Sequence, residues 1–230
     1  MMLDSLRKEV CAANRDLARC GLVTLTWGNV SGIDRERSLV VIKPSGVPYD
    51  QLEPAQMVVV DFKGKIVEGN LRPSSDTAAH LFLYRGFEQI GGIAHVHSRH
   101  ATMFAQARRE IPCLGTTHAD HFHGPVPVTR PLAESEVDAD YEGNTGRVIV
   151  ERFAKLDPTA MPAVLVAGHG PFTWGRNAAE SVRNAIALEA VAEMAIGTWS
   201  LDRQAPELEP YILEKHYQRK HGSAAYYGQQ

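Results

Sequence analysis

The 230-residue chain is poor in cysteine and carries little excess charge of either sign. Its three cysteines form no CxxC pair, which argues against a disulfide framework and is typical of a reducing compartment. A formal net charge of -3 gives no electrostatic footprint for nucleic acid. The composition therefore favours a globular protein that is long enough to bury a full core and that acts without nucleic acid.

Other signatures are missing as well. No run of about 18 apolar residues occurs, so no membrane span is expected. The first residues lead directly into an amphipathic pattern rather than into a signal peptide, which predicts a cytoplasmic protein. Neither GxGxxG nor GxxxxGK(S/T) is present, so a dinucleotide site and a P-loop lack support. The chemistry is expected to run without NAD or ATP.

Hydrophobic periodicity predicts a mixture of helices and strands. Helices are expected over residues 3–20, 75–87, 98–108, 143–155, 177–199 and 207–220. Strands are expected over residues 22–26, 39–42, 57–62, 66–68, 93–97 and 163–167. With no linker or break in composition, one domain over residues 1–230 is expected, built as helix layers around one mixed sheet.

The most informative feature is the pair His95 and His97, inside the apolar run 93–97. Residues two apart on a strand point to the same face, so both imidazoles are expected to aim at one point. Two unsatisfied imidazoles in apolar surroundings are costly, and a shared divalent cation would satisfy both. The pair indicates a metal site; the alternative is two core histidines that donate to backbone carbonyls.

A catalytic zinc usually has three protein ligands and one open position. His169 is the best third candidate, because it follows the apolar run 163–167 and lies between two glycines that let the backbone pack closely. A plain turn after a strand is the competing interpretation. A second pair, His121 and His123, lies in polar sequence bounded by glycine and proline that is typical of a loop, and it ranks lower.

Three small polar clusters could bind a compact anion. They are Gly28-Asn29, residues 43–46 with Lys43, and Ser74-Ser75 ahead of a predicted helix. Serine hydroxyls and free backbone N–H groups at a positive helix end attract an anion, and a lysine adds a point charge. Simple N-capping is the alternative for the serine pair.

Two aspartates stand near these candidate sites. Asp76 lies in the first turn of the predicted helix, where the dipole favours a carboxylate whatever its function. Asp120 lies among histidines and threonines, where a cation or buried polar groups could tune its pKa for proton transfer. A structural role remains the alternative for a lone aspartate in a loop.

Taken together, the motifs resemble the class II aldolase and adducin family, and within it the L-ribulose-5-phosphate 4-epimerases. In chain order they are TWGNVS at 26–31, KPSG at 43–46, PSSDT at 73–77, HVHSRH at 95–100, TTHAD at 116–120, HGPF at 169–172 and the tail KHY, HG and YYG between 215 and 228. They span nearly the whole chain. The resemblance implies an α/β fold, a three-layer helix-sheet-helix sandwich with one central mixed, largely antiparallel sheet.

The resemblance also implies roles for individual residues. One zinc ion per subunit, or manganese or cobalt, is expected to be bound by His95, His97 and His169, with Asp76 beside the metal. The substrate phosphate is expected to contact Asn29, Lys43, Ser45, Gly46, Ser74 and Ser75. Asp120 and Tyr227, or Tyr226 in its place, are the expected acid/base groups. The C-terminal tail is expected to complete the site of a neighbouring subunit in a homotetramer.

The implied reaction interconverts the sugar phosphates L-ribulose 5-phosphate and D-xylulose 5-phosphate. Carbon 4 is not next to the ketone, so direct deprotonation there is implausible, and the accessible route breaks and re-forms the bond between carbons 3 and 4. Aldolases of the family carry Glu where this chain has Asp76, which favours an epimerase. The alternatives are a sugar-phosphate aldolase that releases dihydroxyacetone phosphate and an aldehyde, and a non-enzymatic module such as the adducin head, which the intact histidine set disfavours.

Overall fold

A single antiparallel sheet lies at the centre of the fold. Within residues 2–223 and 225–226, which the computed structural model describes, the strands are β1 (Asn29–Asp34), β2 (Leu39–Ile42), β3 (Val58–Asp61), β4 (Ile66–Glu68), β5 (Gly92–His95), β6 (Ala163–Leu165) and β7 (Pro171–Gly175). Their order across the sheet is β4-β3-β2-β1-β5-β7-β6, and each of these pairings is antiparallel. One isolated parallel bridge joins Val128 to Leu165.

Helices cover both faces of this sheet. They are α1 (Asp4–Arg19), α2 (Thr77–Gly86), α3 (Arg99–Ala107), α4 (Thr116–Ala119), α5 (Glu134–Arg152), α6 (Ala178–Leu201) and α7 (Pro210–His221). No helix in the described part of the chain is both long and apolar enough to cross a membrane.

Alternation along the strands creates two hydrophobic cores. Val58 and Val60 of β3 pack in the core shared with α2, α3 and α5, whereas Val59 between them packs in the core shared with α1. This is the period of two that places successive strand residues on opposite faces. The predicted α/β sandwich is confirmed.

Most predicted elements lie within a few residues of the observed ones, with two corrections. The strand expected over 22–26 is wrong, because this segment is irregular and Leu25 adopts a left-handed conformation with φ 53 while the chain turns from α1 towards β1. The helix expected over 143–155 begins instead at Glu134, and Asp140 interrupts it with non-helical backbone angles. The predicted start of α6 holds, since the Asn177 side chain accepts from the backbone N–H of Glu180.

The pairing of the central strands aligns three residues at one end of the sheet. Asn29 at the start of β1 pairs with His95 at the end of β5, and His95 pairs with Phe172 near the start of β7. Three side chains are thereby aligned in one row on one face. The segment that follows β5 and the turn between β6 and β7 both lie at this end of the sheet.

Candidate functional site

His95 occupies the last position of β5, and its side chain is buried. Its ring stacks on Phe172 with centroids 4.1 Å apart, and its Nδ1 donates to the carbonyl oxygen of Pro171 at 2.9 Å. Because the carbonyl can only accept, this hydrogen bond assigns the proton of the neutral ring to Nδ1. The Nε2 atom is left with its lone pair available to a metal.

His97 lies two residues beyond the strand, so the expectation that both histidines belong to one strand is wrong. β5 ends at His95, although the Val96 N–H still donates to Pro171 at 3.3 Å. The Nε2 atoms of His95 and His97 nevertheless lie 3.1 Å apart. The geometric expectation of two converging imidazoles is therefore met, although the second histidine is outside the ladder.

His169 reaches the same point from the turn between β6 and β7. Gly168 adopts φ +75 in this turn, and the backbone N–H of His169 donates to Val166 at 3.0 Å. A Cβ atom at Gly170 would lie only 2.9 Å from the Val96 carbonyl oxygen, so glycine is needed for this close approach. The turn brings the His169 ring to centroid distances of 4.8 Å from His95 and 5.0 Å from His97.

The three histidines meet the requirements of a divalent metal site. One ligand nitrogen from each lies within 4.8 Å of the other two, and within the described residues no other such group of His, Cys, Asp or Glu occurs. Burial is the main cause that lowers the pKa of His97 to about 4 and that of His169 to about 3. Both rings are neutral at physiological pH, which is the form that binds metals.

Asp76 lies beside this group at the start of α2. Its Oδ2 accepts a hydrogen bond from Asn29 Nδ2 at 2.6 Å, and Asn29 Nδ2 also contacts Ser74 Oγ at 3.0 Å. Burial alone raises the pKa of Asp76, but the adjacent His95 and His80 rings and the Asn29 amide outweigh it and hold the pKa below its usual value. The carboxylate is therefore charged, is held by the Asn29 amide and lies close to the histidine group.

Lys43 places a cation in the wall of a cleft that the histidine group also lines. Its side chain is buried, its Nζ lies 4.8 Å from the ring centroid of Tyr49, and it donates to the Pro44 carbonyl at 3.3 Å. Burial lowers the pKa of Lys43 to about 8. A buried lysine with one weak backbone partner is poised to bind an anion.

One cleft of about 570 Å³ brings most of the predicted site residues together. Its lining contains all the predicted metal and phosphate residues: Asn29, Lys43, Ser45, Gly46, Ser74, Ser75, Asp76, His95, His97 and His169. The backbone holds the two serine segments side by side, since the Ser74 N–H donates to the Lys43 carbonyl and the Ser45 N–H to the Arg72 carbonyl, both at 2.9 Å. Sequence motifs far apart in the chain thus form one concave surface.

Several residues that line the cleft were not predicted as site residues from the sequence. Trp27, which is half exposed, lies 6.3 Å from the His97 ring, and the Tyr141 hydroxyl lies 3.5 Å from His169 Nδ1. Glu142 follows in the wall. Tyr141 and Glu142 belong to an acidic stretch without apolar periodicity. The one feature of the sequence that could have indicated a site there is Tyr141, an aromatic residue in a polar segment.

Asp120 is absent from the described residues that line this cleft. Its carboxylate instead accepts from Arg219 at 2.7 Å and from His216 Nδ1 at 3.1 Å, both on α7. Burial raises the pKa of Asp120, but these partners and Lys220 outweigh it and lower the pKa overall. Tyr226 is tied to the same helix by its backbone N–H, which donates to the Arg219 carbonyl, while Tyr227 lies outside the described residues.

The second histidine pair, His121 and His123, lies beside α7 and not in the converging group. His123 Nε2 contacts the Glu214 carboxylate of α7 at 2.8 Å, and its ring packs against Tyr217. His121 lies near Phe122 and the charged groups of α7. Neither residue belongs to the group of converging ligand atoms.

The sequence pattern of one protein family, described as the class II aldolase and adducin N-terminal domain, matches residues 8–196. The chain belongs to the class II aldolase and adducin family. The matched region contains every residue of the cleft and Asp120, whereas α7 lies beyond it. The coarse function is therefore that of a class II aldolase-type family of metal-dependent sugar-phosphate enzymes.

Solved structures of this family's fold align over nearly the whole chain. An L-fuculose 1-phosphate aldolase is 25% identical with a TM-score of 0.74, and the alignment covers 94% of this chain and 95% of that chain. YgbL from Klebsiella pneumoniae is 24% identical with a TM-score of 0.71, over 94% of this chain and 99% of that chain. The L-fuculose 1-phosphate aldolase from Glaciozyma antarctica PI12 is 16% identical with a TM-score of 0.78, over 97% and 85%. The latter two likenesses concern the fold alone.

Proposed function

We propose that the protein is an L-ribulose-5-phosphate 4-epimerase, which interconverts L-ribulose 5-phosphate and D-xylulose 5-phosphate by breaking and re-forming the bond between carbons 3 and 4. The observation that carries the proposal is the division of one cleft between a three-histidine group and a cationic, hydroxyl-rich wall. A cleft of about 570 Å³ is within the range that encloses a small ligand.

The cationic wall is suited to the phosphate group. Lys43 supplies the positive charge, and the hydroxyls of Ser45, Ser74 and Ser75 with the Asn29 amide supply hydrogen bonds. Holding this end of the substrate keeps the two-carbon fragment, glycolaldehyde phosphate, in the cleft after the bond breaks. Its aldehyde can then rotate and present its other face, so that re-addition inverts carbon 4.

The histidine group lies where the other end of the substrate would reach. A divalent cation held by His95, His97 and His169 would supply Lewis-acid stabilisation of the negative charge that develops on the three-carbon fragment. Zinc is the expected ion, since three imidazoles with one open side is the common catalytic zinc environment. Asp76 adds a charged carboxylate next to this group, held in place by Asn29.

Bond cleavage also requires proton transfer at the carbon 4 oxygen. The hydroxyl there must lose a proton as the bond breaks and regain one after re-addition from the other side, so two groups on opposite sides are needed. We assign these roles to Asp120 and Tyr227. Because Asp120 does not line the cleft of its own chain and is bound to α7, it would act on the cleft of a neighbouring copy, delivered together with the C-terminal tail. We propose a homotetramer with sites between subunits, as the family resemblance implies.

A class II sugar-phosphate aldolase is the second candidate. It is favoured by the L-fuculose 1-phosphate aldolase that is 25% identical over nearly the full length of both chains. The epimerase is preferred because this chain carries Asp76 where aldolases of the family have glutamate. It is also preferred because the chain carries Asp120 and Tyr227, the two acid/base groups that the resemblance to the epimerases implies.

Product analysis separates the two. The metal-loaded protein is incubated with L-ribulose 5-phosphate, and the products are resolved by chromatography beside D-xylulose 5-phosphate, dihydroxyacetone and glycolaldehyde phosphate. Epimerisation with little free fragment is the expected result. A second incubation uses L-fuculose 1-phosphate. Its cleavage to dihydroxyacetone phosphate, with L-ribulose 5-phosphate left unchanged in the first incubation, would favour the aldolase.

A further inference from the structure

We propose that Glu189, on α6, is a positioning residue that fixes α3 and thereby sets the spacing of His97 and His169. This inference rests on the proposed metal site and is independent of which sugar phosphate is the substrate. Glu189 lies outside the cleft, and the sequence motifs gave no indication of a role for it.

α3 begins without a cap from its own N-terminal residues. Its N-cap residue, Ser98, makes no side-chain capping bond, so the first N–H groups of the helix need partners from elsewhere. Glu189 supplies them: its Oε1 accepts from the His100 N–H at 2.9 Å, and its Oε2 accepts from the Ala101 N–H at 3.0 Å. The His100 Nδ1 donates to the same Oε1 at 2.9 Å. One carboxylate from a distant helix therefore replaces the local cap.

The charge of this carboxylate is matched to its position. It faces the positive end of the α3 dipole and accepts charge-assisted hydrogen bonds. Burial raises the pKa of Glu189, but the His100 N–H, the Ser98 hydroxyl, the Ala101 N–H and the His100 ring outweigh it and hold the pKa below its usual value. Its side chain retains 18% exposure, and the adjacent Leu188 of α6 is fully buried, so the carboxylate stands on an element that is anchored in the core.

α3 is connected to both metal-ligand segments. At its start, Ser98 alone separates Arg99 from His97, which lies beyond the end of β5. Near its other end, the Ala105 carbonyl accepts from the Gly168 N–H at 2.8 Å, next to His169. A shift of α3 would therefore displace two of the three ligands relative to His95, which is fixed in the sheet.

Ligand spacing is sensitive to such shifts, because a metal site needs its donors within about 0.5 Å of the productive geometry. Glu189→Gln removes the charge and turns one acceptor into an NH₂ donor that faces the N–H groups of α3. We expect the affinity for a divalent ion to fall about tenfold, which is the lower end of the loss seen when an outer partner of a metal ligand is changed. We also expect the visible absorption spectrum of the Co²⁺-loaded protein to change.

The experiment measures Co²⁺ binding to the full chain by competition with a chromogenic chelator, together with the visible spectrum of the Co²⁺ complex. Glu193→Gln is the matched control, because Glu193 is exposed one turn further along α6. Thermal unfolding of each metal-free protein tests whether it is folded. Should Glu189→Gln fail to fold, His100→Ala removes one of the three hydrogen bonds and is expected to give a smaller change in the same direction.

The outcomes are distinct. Weaker Co²⁺ binding and an altered spectrum in a folded Glu189→Gln protein, with Glu193→Gln unchanged, support the positioning role. Co²⁺ affinity and spectrum equal to those of the parent overturn it, even if the unfolding temperature is lower, because a merely structural residue would behave in that way. A parent protein that binds no Co²⁺ would instead overturn the proposed metal site and hence the proposed function.

Discussion

The carbonyl oxygen of Pro171 accepts a hydrogen bond from Nδ1 of His95 at 2.9 Å, and this contact leaves the Nε2 of His95 free to face Nε2 of His97 at 3.1 Å. When the proton of the neutral His97 ring is on Nδ1, two lone pairs face each other at that distance, and they repel each other unless a cation lies between them. Burial is the main cause that lowers the pKa of His97 to about 4, so its ring is neutral at physiological pH and has one lone pair to offer. The arrangement is therefore suited to a metal ion.

Substitution of His97 tests this conclusion. His97→Ala should remove roughly one equivalent of tightly bound divalent ion per chain and abolish epimerisation, because a site with two remaining ligands binds weakly. Metal content by elemental analysis and turnover are the two measurements. His121→Ala is the control and should leave both nearly unchanged. A His97→Ala protein with full metal content would place the metal elsewhere.

Substitution of Lys43 should weaken binding of the phosphate and let the two-carbon fragment escape. Lys43→Met removes the charge from a buried position, so KM should rise and free glycolaldehyde phosphate should increase relative to epimerised product. Lys65→Met, in the turn before β4, is the control because Lys65 is exposed. Unaltered KM and no fragment release in Lys43→Met would exclude Lys43 from the phosphate site.

The pKa of Lys43 predicts a pH dependence for the same step. Burial lowers it to about 8, so the ammonium form that attracts phosphate is lost as pH rises above about 8. KM of the parent enzyme should therefore increase on the alkaline side, and this limb should be absent in Lys43→Met. Steady-state kinetics across the alkaline range measure it. The same alkaline rise in both proteins would assign the titration to another group.

Asp120 should act on a neighbouring subunit. Mixed oligomers of Asp120→Asn, which keeps the metal ligands, and His97→Ala, which keeps Asp120, should regain activity that neither variant has alone. In a closed ring with one type of contact, random mixing pairs an intact metal site with an intact neighbouring Asp120 at roughly a quarter of sites. Dissociation, reassembly and assay of differently tagged subunits provide the test. Verified mixed oligomers without activity would contradict the shared site.

His80 should make the metal-free protein sensitive to acid. It is fully buried, its Nδ1 lies 2.7 Å from Ser31 Oγ, and burial lowers its pKa to about 3. Between the unfolded pKa of about 6.5 and this value the unfolded chain binds the extra proton, so the free energy of unfolding falls as pH falls, by up to about 1.4 kcal/mol per pH unit.

His80→Asn cannot take up this proton, so its free energy of unfolding should fall less steeply between about pH 7 and about pH 5. Its stability near pH 7 should also be lower, because the smaller side chain leaves space in the core. Urea unfolding at several pH values measures both. Parallel pH curves for parent and variant would mean that His80 is not the group responsible.

The site was more predictable than parts of the sheet that carries it. Short motifs such as HVH and KPSG contain histidine, lysine and serine, whose chemistry indicates metal or anion binding even when their positions in space are unknown. β1 was missed because its residues look polar: Ser31 is buried by hydrogen bonds to His80 and Tyr84, and Gly32 packs against Leu6 and Val10 of α1. Neither partner is visible in the local pattern.

Long-range contacts explain the other differences. β7 begins at a proline and ends at a glycine, both poor strand signals, and it is defined by pairing with β5 and β6. The cap of α3 by Glu189 joins residues 88 positions apart, which no short motif can encode. The sequence predicts Asp120 as a proton-transfer group from its polar neighbours, but its ion pair with Arg219 depends on the path of α7, which no local pattern shows.

The most direct measurement of the central claim is epimerisation of L-ribulose 5-phosphate in deuterium oxide by the metal-loaded enzyme, with the product examined by NMR. If the bond between carbons 3 and 4 breaks and re-forms, the hydrogen on carbon 4 never leaves that carbon. We expect D-xylulose 5-phosphate with protium at carbon 4. Deuterium at carbon 4, or no xylulose phosphate at all, would contradict it.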